Sequence, residues 1–281
     1  MPGISRRAFL AMSAAAAGGA WMAPSPKARA EDAFGGLRLG MASYTLRDYG
    51  REEAIAHTAE LGLGWIELFG GHQEATEDED AIAVLRAELV NHGVQMHAYW
   101  AGNLRDNEEQ IRTLFEFAGR LSVPLLPGHA YPESLPILDE LVKEYDIKVG
   151  LHNHGPDHLF DYADEMIEAA EPWDARIGYC LDTGHCMRSG EDPVEVVERL
   201  GDRLYGIHLK DQEHIGRDDP PQTILGEGAL DLSAFCAALR QVGYDAPISI
   251  EYDKQVTIGE IRRGSANFAE AANEVRSTET E

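Results

Sequence analysis

Short runs of apolar residues alternate along the chain with longer segments in which apolar residues recur every three to four positions. The short runs are typical of buried strands, and the longer segments have the period of an amphipathic helix. The pattern predicts eight strands, at Leu39–Tyr44, Trp65–Phe69, Val94–Trp100, Pro124–Gly128, Ile147–Leu151, Ile177–Leu181, Leu204–Leu209 and Ile248–Tyr252. It predicts a helix after each strand, at Glu52–Leu61, Asp80–Asn91, Glu108–Leu121, Leu135–Tyr145, Tyr162–Ala170, Pro193–Leu200, Leu232–Val242 and Ile258–Ala271.

This order of elements indicates an α/β fold, a single (β/α)8 TIM barrel over residues 31–281. Eight strand–helix units in about 250 residues are the usual content of such a barrel. An open doubly wound sheet is the alternative, but no glycine-rich phosphate-binding sequence follows the first strand. The longest join, Gln212–Asp231, is rich in Gly, Pro and Asp, which is typical of a functional loop.

The first thirty residues have the pattern of an export signal. Ser5–Leu10 resembles the twin-arginine consensus through Arg6 and Arg7, and an apolar stretch runs from there to Ala23. Ala28–Ala30 is a small-x-small cleavage site. A membrane anchor is the alternative, but roughly 15 apolar residues are fewer than the ~20 that a spanning helix needs. The sequence therefore predicts a periplasmic or exported protein that uses the twin-arginine pathway.

The charge balance narrows the classes of partner. Residues 31–281 contain 20 basic and 49 acidic side chains, a net charge of −29 with neutral histidines. A surface of that sign repels phosphate backbones and anionic lipids, so we expect no nucleic-acid partner and no membrane contact after signal removal. The sequence leaves open whether the protein forms a homo-oligomer.

Three cysteines, Cys180, Cys186 and Cys236, are too few and too irregularly spaced for a disulfide framework or a zinc motif. Cys180 and Cys186 are separated by more extended chain than a disulfide can bridge. We expect three buried free thiols.

Histidines and carboxylates gather at the predicted strand ends. Because all strand C-termini of a barrel share one rim, these side chains are expected to converge in space. Imidazoles and carboxylates together are suitable ligands for a divalent cation. The histidines at strand ends are His72, His97, His129, His152, His154, His185 and His208, and the carboxylates are Glu67, Asp182, Asp211 and Glu251.

Five motifs resemble those of the sugar isomerase/epimerase superfamily of xylose-isomerase-like barrels. That superfamily also includes inosose dehydratases and metal-dependent DNA-repair endonucleases. The motifs occur in the right order over nearly the whole of residues 31–281. They are Gly64–Glu67, Leu181–His185, Ile207–Asp211, Gly226–Asp231 and Ile250–Tyr252.

The resemblance implies one divalent metal ion (Mn, Mg, Co or Zn) held from strands five to eight. Matched to this sequence, its ligands are His152, Asp182, His208 and Glu251. The strand-five ligand is usually a Glu, and here it is His152 in the sequence Leu151–Gly155. A His-rich strand five resembles the inosose dehydratase branch, whose reaction eliminates water beside a ketone. Whether His152 is a ligand or a substrate group stays open.

The reaction that such a site supports begins with loss of a proton beside a carbonyl. A divalent metal stabilises the resulting enolate as a Lewis acid, and a base of near-neutral pKa takes the proton. An acid then returns the proton to the neighbouring carbon or protonates a departing hydroxyl. The candidates for the acid, base and oxyanion-binding roles are His154, His185, Lys210 and Glu251.

The substrate side of the site is less specified by the sequence. Glu67 either contacts the substrate or pairs with a rim histidine, and Lys210 could instead form a salt bridge with Asp211 or another rim carboxylate. His97 and Trp100 either line the pocket or pack in the core. The candidates for binding a sugar or cyclitol are Glu67, His97, Trp100 and Glu227.

Three functional hypotheses follow. The first is a metal-dependent sugar isomerase/epimerase, or a related dehydratase acting on a keto-sugar or keto-inositol. The second is a noncatalytic carbohydrate-binding barrel that has lost its chemistry at His152. The third is a phosphodiesterase-type nuclease, which the charge of −29 and the predicted export both oppose.

Overall fold

The computed structural model describes residues 33–279, and the predicted export signal lies outside the described residues. The strands are β1 Leu39–Ala42, β2 Trp65–Leu68, β3 Gln95–Tyr99, β4 Leu125–Ala130, β5 Lys148–His152, β6 Ile177–Asp182, β7 Leu204–Leu209 and β8 Ile248–Ile250. A two-residue strand, Asn103–Leu104, continues β3 after a break. The helices are α1 Arg51–Glu60, α2 Glu79–His92, α3 Glu108–Leu121, α4 Leu135–Tyr145, α5 Ala163–Ala170, α6 Thr183–Arg188, α7 Pro193–Leu200, α8 Leu232–Gln241 and α9 Ile258–Glu279.

The strands form one parallel sheet that closes on itself. β1 lies between β2 and β8, and pairing then runs in order from β8 back to β4, beside which Asn103–Leu104 lies. The segment that follows β3 closes the sheet between β3 and β4, because the backbone N of Ala101 donates to the Pro127 carbonyl at 2.8 Å. The backbone N of His129 likewise donates to the Gly102 carbonyl at 2.9 Å.

Glycine is required where this closure brings two backbones together. A Cβ at Gly128 in β4 would lie 2.9 Å from the carbonyl oxygen of Gly102. Gly102 itself has φ +68°, a left-handed conformation that side chains disfavour. These two positions therefore allow the interrupted third strand to dock on the fourth.

The helices begin and end where the sequence supplies capping groups. The side chains of Asp78, Asp192 and Asp231 accept hydrogen bonds from the first turns of α2, α7 and α8. Gly93 ends α2 in the left-handed conformation. Ile111 and the other apolar residues on the inner face of α3 pack against the buried strands. The core therefore lies between the sheet and the helices.

The prediction of a (β/α)8 barrel is confirmed. The open doubly wound sheet is wrong, because β1 pairs with β8 in a register that sets Leu39 beside Ile248. Three local differences remain. Ser43–Leu46 forms a 3-10 turn instead of continuing β1, α6 is an additional helix directly after β6, and α9 extends to Glu279.

The three cysteines are buried and free, as expected. None of the helices within residues 33–279 is both long and apolar enough to cross a membrane.

Candidate metal and active site

A pocket of about 300 Å³ opens at the C-terminal ends of the strands. One half of its wall, from β1 to β3, is largely apolar and aromatic, whereas the half from β4 to β8 is formed by imidazoles and charged groups. The first half consists of Ala42, Ser43, Tyr44, Glu67, Leu68, Phe69 and Trp100. The second half consists of His129, His152, His154, His185, His208, Lys210, Glu251 and Asp253.

Four predicted metal ligands converge from four consecutive strands. One donor atom each from His152, Asp182 and His208 lies within 4.8 Å of the other two, and all three side chains are buried. His152 Nε2 lies 3.1 Å from His208 Nδ1 and 3.5 Å from Asp182 Oδ2. Glu251 Oε2 lies 2.8 Å from His208 Nδ1, which brings the fourth group to the same centre.

This donor set fits a divalent cation. Two imidazole nitrogens and two carboxylates are borderline and hard ligands, a mixture that Zn²⁺, Co²⁺ and Mn²⁺ accept. Burial lowers the pKa of His152 well below its usual range, so its ring is neutral and keeps a lone pair for coordination. Asp182 Oδ2 is buried and accepts no hydrogen bond of good geometry from the described residues, although Lys210 Nζ lies 2.9 Å from it as an ion-pair partner.

Glu67 lies behind His208 and orients it. Its two carboxylate oxygens are 2.9 and 3.1 Å from His208 Nε2, which turns Nδ1 toward the other ligands. A carboxylate behind a ligating imidazole is a common support in metal sites. Although burial opposes the charged form, Glu67 and Glu251 raise the pKa of His208 well above its usual range. Of the two roles considered for Glu67, the structure shows the contact with a rim histidine.

His97 lies beneath this contact and does not line the pocket, so of the two placements that the sequence left open the structure shows packing in the core. Its Nε2 is 3.0 Å from Ser249 Oγ, and that hydroxyl donates to Glu67 at 3.2 Å. Burial lowers the pKa of His97 to about 4, so the ring is neutral. His97 therefore helps to fix Ser249 and Glu67 from below.

Lys210 is a buried ammonium group among three carboxylates. Its Nζ lies 2.9 Å from Asp182 Oδ2, 3.3 Å from Glu251 Oε2 and 2.8 Å from Asp253 Oδ2. Burial opposes its charge, yet these carboxylates raise its pKa above the usual range. In turn Lys210 keeps the pKa of Asp182 and of Glu251 low despite their burial. The predicted alternative of a salt bridge with a rim carboxylate is thus observed, although the partner is not Asp211.

Asp182, at the end of β6, uses its two carboxylate oxygens for different contacts. Asp182 Oδ1 accepts a hydrogen bond of 2.8 Å from the backbone N of His185 and so caps the short helix α6. Asn153, next to His152, holds the Asp182 backbone through bonds of 2.7 and 3.0 Å. The same carboxylate therefore begins α6 with Oδ1 and faces the metal ligands with Oδ2.

Three imidazoles beside the candidate ligands, those of His129, His154 and His185, form one face of the pocket, and His158 packs against His154 outside the lining. The rings of His154 and His185 are 4.0 Å apart, and His158 and His129 lie 4.6 and 5.3 Å from His154. Burial lowers the pKa of His185 to about 3 and that of His129 to about 4, and it also lowers the pKa of His154. His154 and His185, the predicted acid–base candidates, are therefore neutral at pH 7 and face the pocket together.

Trp100 closes the pocket next to the ligands. Its ring lies 4.8 Å from His152 and 5.5 Å from His208, so it excludes water from that side of the site. The structure thus brings Trp100 to the pocket wall, as one of the two sequence alternatives expected.

The long loop after β7 is organised by Asp211, but Glu227 does not reach the pocket. Asp211 accepts hydrogen bonds from the backbone of Gly226, Gly228 and Leu230 at 2.9–3.0 Å. Glu227 instead projects to the surface, where it forms an ion pair with Arg263 of α9. The turn around Asp211 directs Glu227 away from the pocket, and its predicted contact with substrate stays a prediction.

The sequence profile of the xylose isomerase-like TIM barrel family matches residues 55–276. The chain belongs to this family. It is 27% identical to an inosose dehydratase of Lacticaseibacillus casei over 133 residues, which are 42% of this chain and 44% of that enzyme. The match therefore spans less than half of that relative's length.

Solved structures show the same architecture. An L-ribulose 3-epimerase has a TM-score of 0.69 at 16% identity, and the match covers 87% of this chain and 97% of the other. The IOLI protein with a bound zinc atom has a TM-score of 0.65 at 19% identity, with coverage of 85% and 96%. At these identities the likeness shows the fold alone.

Several lining residues were given no role in the sequence analysis. His129 was expected at the rim without a role, and Ala42, Ser43, Tyr44, Leu68, Phe69 and Asp253 were not singled out. A signal existed for Asp253, which follows Glu251 by two positions and therefore shares its side of the chain. His129 also lies at a predicted strand end. Tyr44 and Phe69 end predicted strands too, but aromatic side chains at strand ends are equally typical of a core.

Proposed function

We propose that this protein is a divalent-metal-dependent sugar isomerase or epimerase that acts by enolisation beside a carbonyl of a sugar or cyclitol. The observation that carries the proposal is the convergence of His152, Asp182 and His208, whose donor atoms lie within 4.8 Å of one another beside the pocket. Glu251 completes the set from the neighbouring strand. The bound metal in the IOLI structure, which shares the fold, supports a cation at this rim.

His152 Nε2, Asp182 Oδ2, His208 Nδ1 and Glu251 would hold the cation, which supplies Lewis-acid stabilisation of a developing enolate when bound. Glu67 fixes the His208 ring by accepting from its Nε2. Trp100 excludes water from the same wall, which strengthens the electrostatic contacts inside it.

The remaining groups have two different roles: the histidines suit proton transfer, and Lys210 suits charge stabilisation. His154 and His185 face the pocket as neutral imidazoles, and each has one ring nitrogen with a lone pair. His154 is the better candidate to accept the proton from the carbon beside the carbonyl, because burial lowers the pKa of His185 to about 3 and makes it a weak base. Lys210 keeps its proton too firmly to be a good acid. Its fixed positive charge suits an oxyanion instead.

A dehydratase acting on a keto-sugar or keto-inositol is the second candidate, and His152 favours it. Epimerisation by two paired carboxylates needs a carboxylate where His152 stands. Among the described residues of the pocket wall, Glu67 is turned to His208 and Asp253 to Lys210, so neither replaces it. The inosose dehydratase relative agrees with this direction of chemistry.

Proton NMR in D2O tests the proposal and separates the two candidates. The protein is incubated with a panel of keto-sugars and a keto-inositol and with diamagnetic Mg²⁺ or Zn²⁺. We expect deuterium at the carbon beside the carbonyl. A new alkene signal would instead identify elimination. Absence of both with every compound would oppose enolisation and favour a noncatalytic carbohydrate-binding barrel. The Asp182→Asn variant is the matched control, since it should lose the signal.

For localisation, we propose export through the twin-arginine pathway to the periplasm. The support is the sequence alone, through Arg6, Arg7 and the Ala28–Ala30 cleavage site. That pathway exports folded proteins, which is compatible with a metal bound before export.

A further inference from the structure

Two aromatic rings lie in the pocket away from the metal ligands. Tyr44 and Phe69 both line the pocket, and their rings meet edge to face at 5.5 Å. Trp100 contacts the imidazoles of the site, whereas the ring contacts of this pair are with each other and with His72. Tyr44 is 40% exposed, so the pair lies at the mouth. We call Tyr44 and Phe69 the aromatic shelf.

Both rings of the aromatic shelf are held in place. The Arg47 guanidinium lies 4.6 Å from the centre of the Tyr44 ring, and it donates to the carbonyls of Tyr252 and Asp253 at 3.1 and 2.5 Å. The Phe69 ring packs directly over Gly71, where a Cβ would overlap it. A rigid aromatic surface that keeps water contact is suited to binding a ring, because little side-chain entropy is lost on binding.

The charged groups that line the pocket favour an uncharged occupant of the aromatic shelf. Among the described residues that line the pocket, Lys210 is the sole lysine or arginine, and three carboxylates surround it. Arg47 already donates to backbone carbonyls. A phosphate at the aromatic shelf would therefore find the lysine of the pocket lining already paired with carboxylates, whereas an uncharged ring would bury its face on Tyr44 and Phe69.

Resting on the proposed function, we infer that the aromatic shelf binds a second, uncharged ring joined to the reacting sugar. The substrate class is then a glycoside and not a free monosaccharide or a sugar phosphate. The reacting ring occupies the enclosed volume beside Trp100, and its substituent extends to Tyr44 at the mouth. The second ring can be a sugar or an aryl group, since both present an apolar face.

Calorimetric titration of the intact protein with unreactive glycosides tests this inference. The probes are the methyl and phenyl β-glycosides of glucose, galactose and mannose, together with cellobiose, and saturation-transfer NMR identifies the protons in contact. We expect at least one ring-bearing glycoside to bind about tenfold more tightly than its methyl counterpart, a usual gain from aromatic contact. Preference for cellobiose over the phenyl glycosides would identify a sugar as the second ring.

Variants connect the preference to the aromatic shelf. Tyr44→Ala and Phe69→Ala should remove it, and Tyr44→Phe should keep it because the ring remains. Tyr49→Ala is the matched control: Tyr49 is 37% exposed, lies on the neighbouring turn and does not line the pocket. Thermal melting checks that each variant is folded.

Equal affinity for methyl and ring-bearing glycosides, or a preference that survives both alanine variants, would overturn the inference. So would failure of every probe to bind. Deuterium exchange into free keto-sugars without any ring preference would overturn this inference and leave the proposed enolisation intact. A ring preference without exchange or elimination in any keto-compound would oppose the proposed enolisation and leave the aromatic shelf as a ring-binding site.

Discussion

Lys210 is positioned where it must oppose a bound metal, and replacing it should change metal affinity in a direction that is easy to measure. Its ammonium lies 2.9 Å from Asp182 Oδ2, the oxygen that faces the other ligands. A metal would lie about 2.0–2.2 Å from that oxygen, so the two cations would be at most about 5 Å apart. We predict that Lys210→Met binds Zn²⁺ more tightly than the unmodified protein.

The expected size follows from these distances. At about 5 Å and an effective dielectric constant of about 20, two unit charges repel by about 3 kcal/mol, and a divalent ion doubles this. Asp253 offsets part of the repulsion, because it holds the ammonium at 2.8 Å from the other side. We therefore expect a tightening of about 10–100-fold, which corresponds to about 1.4–2.8 kcal/mol.

Without metal, the Lys210→Met variant should be less stable than the unmodified protein. Removing Lys210 leaves Asp182, Glu251 and Asp253 close together without their shared cation, and loss of one partner from a buried ion pair costs about 3–5 kcal/mol. Zinc should restore much of this loss. Thermal unfolding with and without a chelator should thus show a larger zinc-dependent rise in Tm for the variant.

Zinc affinity is measured by competition with a fluorescent chelator, and Lys254→Met, at an exposed position, is the control for removing one positive charge. An unchanged or weaker zinc affinity in folded Lys210→Met would refute the reasoning. The four charged groups would then be a structural ion-pair cluster and not a site shared by an ammonium and a metal.

Three further predictions concern the ligands and the export signal. Purified protein should carry close to one divalent cation by elemental analysis, and full occupancy in the Asp182→Asn, Glu251→Gln double variant would contradict the ligand assignment. His152→Ala should lower metal affinity by about 10–100-fold, whereas His152→Glu should retain metal and move the product ratio from elimination toward α-proton exchange; an unchanged affinity in His152→Ala with lower turnover would make it a substrate or acid–base group. Replacing Arg6 and Arg7 with Lys should leave the precursor in the cytoplasm on fractionation, and an unchanged periplasmic yield would exclude a twin-arginine signal.

The fold could be predicted because each strand and helix carries its own periodic signal. Eight apolar runs and eight helical patterns are enough to specify a barrel, and observed bounds differ from the predicted ones by a few residues at most strands. The helix α6 was not predicted because its six residues, which include Gly184, carry no amphipathic pattern. It forms because Asp182 caps it, and that role depends on the three-dimensional end of β6.

The convergence of His152, Asp182, His208 and Glu251 could be predicted because strand C-termini share one rim, but depth within the barrel could not. A period of two assigns a side chain to the inside of a strand without giving its layer. His97 and Trp100 are three residues apart and would point to opposite faces of a regular strand. His97 contacts Ser249 below the site, whereas Trp100, which follows the end of β3 at Tyr99, contacts His152 and His208. The outward direction of Glu227 could not be read from the sequence for a different reason, since it depends on the turn around Asp211.

The two halves of the pocket separate chemistry from recognition. The ligand and acid–base candidates come from β4 to β8, where neighbouring strands fix them through bonds such as Asn153 to the Asp182 backbone. The aromatic shelf, Tyr44 and Phe69, follows β1 and β2 and touches none of the four ligands through a ring contact. Changes in these first two loops can therefore alter which ring is bound without displacing a metal ligand. If the proposed enolisation is correct, this arrangement would allow one reaction centre to serve different substrates, as in other barrels whose active-site loops vary independently.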